Sequence, residues 1–508
     1  MNSKKQKKLM RIVALVLVGL MVFGLVVSTV IELSGLFDGP AYQDHEHDHG
    51  EVSAAYDLNM YYHESSQAVE VSQRLTYTNE TEQTLSCVQF HLYENAYRRL
   101  TTAPFFDADL ADAYPEGFAP GGVDFVSVSV DGRQAHWGVY GEGEEFLRVE
   151  CDLAPGETCE FGFDYYVLLP VTRGRSGVSG LDVRLGYFYP VAAVYDPLTG
   201  DFELETLYPQ GDSLYSECAR YDVTINVPET YEVAGTGEKQ EQPLEGRRKQ
   251  VSFHADSARD FALVMSRRYR VYGDERVQVY AVDGAGAKAA LGYARGALAA
   301  YEEWFGACPQ LDIVQADILA EGYSYPGVIL IREDLFAADK RDELEYEVVR
   351  QVAHQYFSGM VGSNPVDNPF LDDSLCEYAA LLYYERVYGE REYLERLNGL
   401  CLPALQITLP GALTVDAGLY LFQTETEYDA VIRARGCAVL HEMRTLMGAD
   451  ALLTGLQLYV QRFSGQNAAL ADFPQALNDA TGKRWDELLI GQMHSIGDYA
   501  RQEMERYE

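Results

Sequence analysis

The stretch Val348-Val349-Arg350-Gln351-Val352-Ala353-His354-Gln355-Tyr356-Phe357 decides how this chain folds, together with Asp373, nineteen residues after His354 in Phe370-Leu371-Asp372-Asp373-Ser374. Leu344, Val348, Val352, Tyr356 and Met360 recur every four residues, which predicts one helix from Asp342 to Val361 with a single apolar stripe. Arg350 and His354 then stand one turn apart on a shared face, with Gln351 beside them. A helix is predicted before it, from Ala285 to Phe305, marked by Ala289, Tyr293, Leu298, Tyr301 and Trp304 and ended by Gly306. Another follows from Asp373 to Val387. Residues 311–332 hold short apolar runs that read as strands, and the chain from there to Glu508 reads as mostly helical.

Upstream the period changes to two. Val69 to Tyr77, Phe125 to Val130 and Tyr221 to Val227 alternate apolar with polar residues. Turn signals separate them at Asn79-Glu80, Asp131-Gly132, Pro155-Gly156, Thr199-Gly200 and Gly235-Thr236-Gly237. The fold class is therefore α+β. An antiparallel β-sandwich or saddle covers 51–268, and a mixed α/β to helical domain covers 269–508, with no internal repeat.

The chain has 508 residues, of which 47% are hydrophobic, enough for large cores. Its 78 acids against 40 bases give a formal charge of −38, which repels phosphate backbones and excludes nucleic acid as a partner. The basic residues Lys4, Lys5, Lys7, Lys8 and Arg11 crowd the start. They precede twenty uncharged residues, Ile12 to Ile31, long enough for a helix of about 30 Å, one hydrocarbon thickness. We read residues 1–11 as a cytoplasmic tail and 12–32 as a single-pass anchor in the cell membrane, leaving the remainder extracytoplasmic. A cleaved signal peptide is the alternative and gives the same compartment. Residues 33–50 form an acidic tether in which His45, His47 and His49 alternate with carboxylates, a weak divalent-metal trap or a solvated spacer.

The eight cysteines include no C-x-x-C pair. Cys151 and Cys159 flank the turn at Ala154-Pro155-Gly156-Glu157 and could bridge a hairpin; two separate thiols are the alternative.

The decisive helix resembles that of the gluzincin aminopeptidases of the alanyl aminopeptidase (aminopeptidase N) family, written V-V-A-H-E-x-x-H-Q-W-F-G, with a third zinc ligand in W-L-N-E-G at the same spacing. Further likenesses follow in the same order. They are His91-Leu92-Tyr93-Glu94-Asn95-Ala96-Tyr97-Arg98, Tyr221 to Glu238, Arg259-Asp260-Phe261-Ala262, Gly322-Tyr323-Ser324-Tyr325-Pro326-Gly327 and Tyr428 to Gly436. The resemblance implies a β-rich domain, a thermolysin-like peptidase domain without the family's large C-terminal helical domain, and a zinc centre.

The departures concentrate at that centre. By the resemblance, Arg350 stands for the first zinc histidine, Gln351 for the general-base Glu and Asp373 for the Glu ligand; only His354 is unchanged. Ser324, beside Tyr325, stands for the Glu that grips a substrate's amino terminus, and Arg433 for the oxyanion Tyr, five residues after Tyr428. A guanidinium has no lone pair for a metal. An amide cannot take a proton as general base, a role worth about 10²–10⁴-fold. We therefore expect no working catalytic residue and no metal cofactor. Arg350 should instead occupy the metal's place, paired with Asp373 and also Glu377. The expected role is binding or scaffolding of a peptide or a membrane-protein partner, such as the transporter permeases that related domains accompany. The alternative is a live zinc aminopeptidase using His354, Asp373, Glu377 and Cys376. Simpler readings are a core histidine at His354, helix caps at Asp372 and Asp373 and a small buried residue at Cys376.

Overall fold

The computed structural model describes residues 53–308, 310–409 and 413–494. The predicted basic tail, anchor and histidine tether, with His45, His47 and His49, lie outside the described residues. Among the described residues no helix is long and apolar enough to cross a membrane.

An eight-stranded sheet dominates the first half. Its strands are β1 (Ala54–His63), β2 (Ala68–Thr78), β3 (Gly122–Val130), β4 (Arg133–Gln134), β5 (Thr158–Leu168), β6 (Ala219–Pro228), β7 (Glu238–Leu244) and β8 (Arg248–Ala258), in spatial order β7-β8-β6-β1-β2-β5-β3-β4. The alternation read from the sequence is the alternation of burial: along β2, Val69, Val71 and Leu75 are buried, while Glu70, Ser72 and Arg74 face solvent. The buried face packs on two four-stranded sheets. Aromatic residues such as Phe90, Phe161, Phe163 and Tyr165 fill the core between them.

Among the strands of this sheet in the described residues, the expected antiparallel arrangement holds with one exception. β1 pairs in parallel with β6, Ala54 opposite Ala219. The excursion from residue 64 to 218 builds other strands and returns the chain to start β6 at the same end as β1. Of the two readings of Cys151 and Cys159, the structure has the separate thiols; both are free. Cys151 lies on Phe146–Leu153, which pairs with Leu85–His91 in a different sheet, whereas Cys159 lies on β5. The two arms diverge instead of forming a hairpin.

The second half opens with a five-stranded sheet of β9 (Arg270–Gly273), β10 (Val277–Ala281), β11 (Leu311–Ala316), β12 (Gly322–Tyr325) and β13 (Val328–Arg332), ordered β9-β10-β11-β13-β12. Its three central strands are parallel, and β12 is an antiparallel edge. Helix α1 (Gly284–Phe305) crosses from β10 to β11 with Ala287, Ala290, Ala294, Ala297 and Tyr301 buried. Then come α2 (Arg341–His354), α3 (Asp373–Tyr388), α4 (Glu390–Leu405), α5 (Gly436–Met447), α6 (Ala449–Phe463) and α7 (Asp472–Thr481). The predicted helix 342–361 is real but changes pitch: after His354 the backbone widens into a π-helical stretch, Gln355–Met360. A second such stretch, Asp429–Arg435, carries Arg433. Both flank the site, where π turns re-aim side chains.

Candidate functional site

α2 and α3 pack side by side, which brings residues 350–354 against residues 372–377. Arg350, His354 and Asp373 meet there, each under a tenth exposed. Arg350 Nη1 lies 3.4 Å from His354 Nε2 and 3.5 Å from Asp373 Oδ1, and those two acceptors are 3.5 Å apart. Three atoms at such edges have a centre about 2.0 Å from each, the distance at which zinc holds nitrogen and oxygen ligands. The triangle of a zinc site is therefore intact in outline. One corner, however, is a guanidinium nitrogen whose N–H groups point outward and whose lone pair is delocalised. The donor set present does not fit a zinc ion unless Arg350 leaves.

A partner the sequence reading missed fixes Arg350. Glu347, three residues earlier on α2, accepts from Arg350 Nη2 at 2.7 Å and Nε at 3.2 Å, and from Gln351 Nε2 at 2.7 Å. Burial alone would raise the Glu347 pKa; the Arg350 charge outweighs it and holds the carboxyl below its usual range. The signal was present, because i and i+3 face each other on a helix. Gln351 thus turns its amide toward Glu347, and its Oε1 has no hydrogen-bond partner.

His354 donates Nδ1–H to Asp372 Oδ1 at 2.8 Å, which leaves Nε2 facing Arg350. Burial opposes charge on the imidazole, but the Asp372 and Asp373 carboxylates outweigh it and raise its pKa. The Asp372 side chain therefore serves His354; it makes no cap bond to α3. Asp373 takes a short bond from the Tyr428 hydroxyl on its other oxygen. Burial pushes Asp373 upward, yet His354, Arg350 and that hydroxyl hold it below the ordinary carboxylate value.

Glu377 does not pair with Arg350 as expected. It accepts from Arg433 Nε at 2.8 Å, and Arg433 also reaches Asp429 at 3.3 Å. Arg433 points into a second buried ion pair one helical turn along α3, which leaves Arg350 for Glu347. Cys376 Sγ sits 3.8 Å from Asp372 Oδ1, and burial raises its thiol pKa well above the usual value. His354, Asp372 and Cys376 offer donor atoms within 4.8 Å of one another. Their imidazole and carboxylate are already joined by the Nδ1–H bond.

On the other side of α2, Ser324 Oγ accepts from Gln355 Nε2 at 2.7 Å. Gln355 also holds the Tyr325 carbonyl at 3.0 Å and accepts from Gly327 N at 2.8 Å, lacing the β12 edge to the helix. The first half of the chain closes over this group. Gln210 Nε2 donates to the Leu419 carbonyl at 2.7 Å. A Cβ on Gly211 would sit 2.8 Å from the Tyr428 hydroxyl. Arg175, also unforeseen, stacks on Tyr323 at 4.2 Å.

Residues 290–494 match the Peptidase family M1 domain. Aminopeptidase M1-A of Oryza sativa subsp. japonica is 26% identical over 226 residues, 41% of this chain and 25% of that protein. Aminopeptidase N of Lactococcus lactis subsp. lactis is 25% identical over 171 residues, 32% of this chain and 19% of that protein. The chain thus spans about a quarter of the length of the first of these relatives and about a fifth of the second. Among solved structures, the M1 zinc metallopeptidase from Deinococcus radiodurans superposes with a TM-score of 0.61 at 17% identity, covering 88% of this chain and 93% of that one. That likeness is one of fold. Residues 290–494 thus carry a Peptidase family M1 domain, related in sequence to aminopeptidases and set in a fold similar to that of an M1 zinc metallopeptidase.

Proposed function

We propose that this protein is a non-hydrolysing member of its family, a binding or scaffolding protein in which an arginine replaces the metal ion. The observation that carries this is the Arg350 corner of the triangle: a cation bonded to Glu347 and 3.5 Å from Asp373 satisfies the carboxylates that a dication would otherwise neutralise. Gln351 offers no general base beside it. The remaining cleft wall, with Ser324, Tyr325 and Tyr428, is the place for a peptide segment or a neighbouring membrane protein. The anchor at 12–32 would hold the domain at the outer face of the cell membrane.

The competing reading, a live peptidase with an altered centre, rests on the donor atoms of His354, Asp372 and Cys376. One experiment separates them. The full chain with His45, His47 and His49 changed to Ala is dialysed against zinc and assayed on aminoacyl p-nitroanilides, beside the same chain carrying Arg350→His and Gln351→Glu. An empty, inactive parent with a variant that loads metal supports a silenced centre. About one zinc per parent chain, with hydrolysis abolished by a chelator, overturns it.

A further inference from the structure

The solvent side of the eight-stranded sheet carries two rows of uncharged polar side chains. Strand pairing sets Gln240, Ser252, Thr224 and Asn59 side by side across β7, β8, β6 and β1. Two residues along, the next outward row is Gln242, Gln250, Asn226 and Tyr61. Each of these side chains is exposed or half-buried. Neither row holds a charge, in a chain that is 23% charged and carries a net −38. Some of the hydrogen-bonding capacity is idle: among the described residues, the side chains of Gln240, Gln242 and Ser72, opposite Asn59 on β2, bond to nothing.

An aromatic strip adjoins these rows. Tyr61 lies opposite Glu70, and Glu70 opposite Tyr166 on β5, so the two tyrosines stand two strand spacings, about 10 Å, apart. The His63 ring lies 4.7 Å from Tyr61 and 6.5 Å from Tyr166 and joins them. Tyr61, Tyr166 and Leu168, next outward on β5, are 37%, 38% and 42% exposed. Arg248 stacks on Tyr61 at 4.1 Å and fixes its ring, and Glu70 holds His63 at 3.0 Å. The acids beyond are occupied: Asp124 by Arg98 at 2.8 Å and Asp164 by the Ser127 hydroxyl at 2.7 Å.

We propose that this face binds an extended, uncharged glycan, with sugar rings along the Tyr61–His63–Tyr166 strip and hydroxyls on the amide rows. Side-chain amides and hydroxyls both donate and accept, as sugar hydroxyls do. The C–H face of a sugar ring is apolar and slightly positive, which suits the negative face of an aromatic ring. An acidic polymer is repelled by the charge of the chain, and the rows hold no cation to retain it. A protein partner needs desolvated apolar pockets at its centre, which a flat polar face does not offer. A ring already held in place loses little freedom on binding. The inference does not depend on whether the Arg350 triangle is silent.

Affinity electrophoresis tests this. The full chain, in a detergent without a sugar headgroup, is run on native gels cast with hydroxyethyl cellulose, glycol chitin, polygalacturonate or no polymer. Its own negative charge drives it to the anode. At least one of the two neutral polymers should retard it, and polygalacturonate should not. Tyr61→Ala and Tyr166→Ala should each weaken the retardation about threefold or more, read as the polymer concentration that halves mobility. Tyr420→Ala, in the second half of the chain and 54% exposed, should leave it unchanged. Circular dichroism checks folding, and if one of the two variants fails to fold the other decides. No retardation by either neutral polymer, equal retardation by polygalacturonate, or retardation unchanged in the folded variants overturns the proposal and leaves the face to solvent.

Discussion

Arg350→Met tests the arginine-for-metal reading without reference to catalysis. The Arg350 and Glu347 side chains are 9% and 2% exposed, so their pair is scarcely screened by solvent. Removing the guanidinium deletes both of its bonds to Glu347 and leaves that carboxylate with Gln351 alone. Breaking one partner of a buried pair costs about 3–5 kcal/mol, because a buried charge is left uncompensated. Unfolding entropy over a chain of this length is about 1 kcal/mol per kelvin, so the melting midpoint should fall by about 3–5 °C. Glu347→Leu alone should cost about as much, since Arg350 keeps only the long contacts to His354 and Asp373. The double variant should recover most of the loss, leaving a coupling of about 3 kcal/mol. Calorimetry and urea titration of the four proteins give the cycle. Additive effects, or an Arg350→Met protein within about 0.5 kcal/mol of the parent, would refute the reasoning.

Three further outcomes follow from the same geometry. His354 has a raised pKa, so its contribution to stability is fully present below its unfolded value near 6.5 and fades as pH rises through the higher folded value. Between pH 6 and 9 the parent should therefore lose more stability than His354→Gln, and parallel melting curves would contradict this. Tyr428→Phe removes the hydroxyl that donates to buried Asp373 and should cost about 1.5–3 kcal/mol by urea titration, with a negligible change counting against the bond. Gly211→Ala places a Cβ 2.8 Å from the Tyr428 hydroxyl at φ +65°, whereas Gly200→Ala, at φ +72°, meets only Tyr195 OH at 3.8 Å. The first should cost more than the second, which carries only the left-handed backbone penalty of about 1–2 kcal/mol; equal losses would mean the first half does not press on Tyr428.

Much of this molecule is legible in its sequence because its elements are strongly periodic. The alternation of β2 and the four-residue stripe of α2 are fixed by burial, and burial is what periodicity encodes. The position of His354 and Asp373 on facing helices was readable from the nineteen-residue spacing and the resemblance. What was not readable depends on choices among equivalent partners. Two arginines and five nearby carboxylates admit several pairings, and sequence alone assigned Glu377 to Arg350 in addition to Asp373. The structure gives Glu377 to Arg433 because the π-helical turn at Asp429–Arg435 re-aims that side chain. Glu347 was passed over because it is the acid of an ordinary-looking i, i+3 pair. The separation of Cys151 from Cys159 has a similar cause: a turn signal fixes where the chain reverses, not which sheet each arm joins.

The parallel pairing of β1 with β6 has a consequence for the order in which the molecule assembles. β1 is made early, but the strand along its second edge begins at Ala219, opposite Ala54. Until that stretch has been synthesised, β1 and β2 present an unsatisfied row of backbone donors and acceptors, the kind of edge that recruits foreign strands. Closing so long a loop is entropically slow, and contacts of such sequence separation form late. The eight-stranded sheet thus behaves as a clasp fastened from its far end. Nascent chains halted before Pro228 would carry an open seam through the middle of their largest core, while those extended past Ala258 could close it.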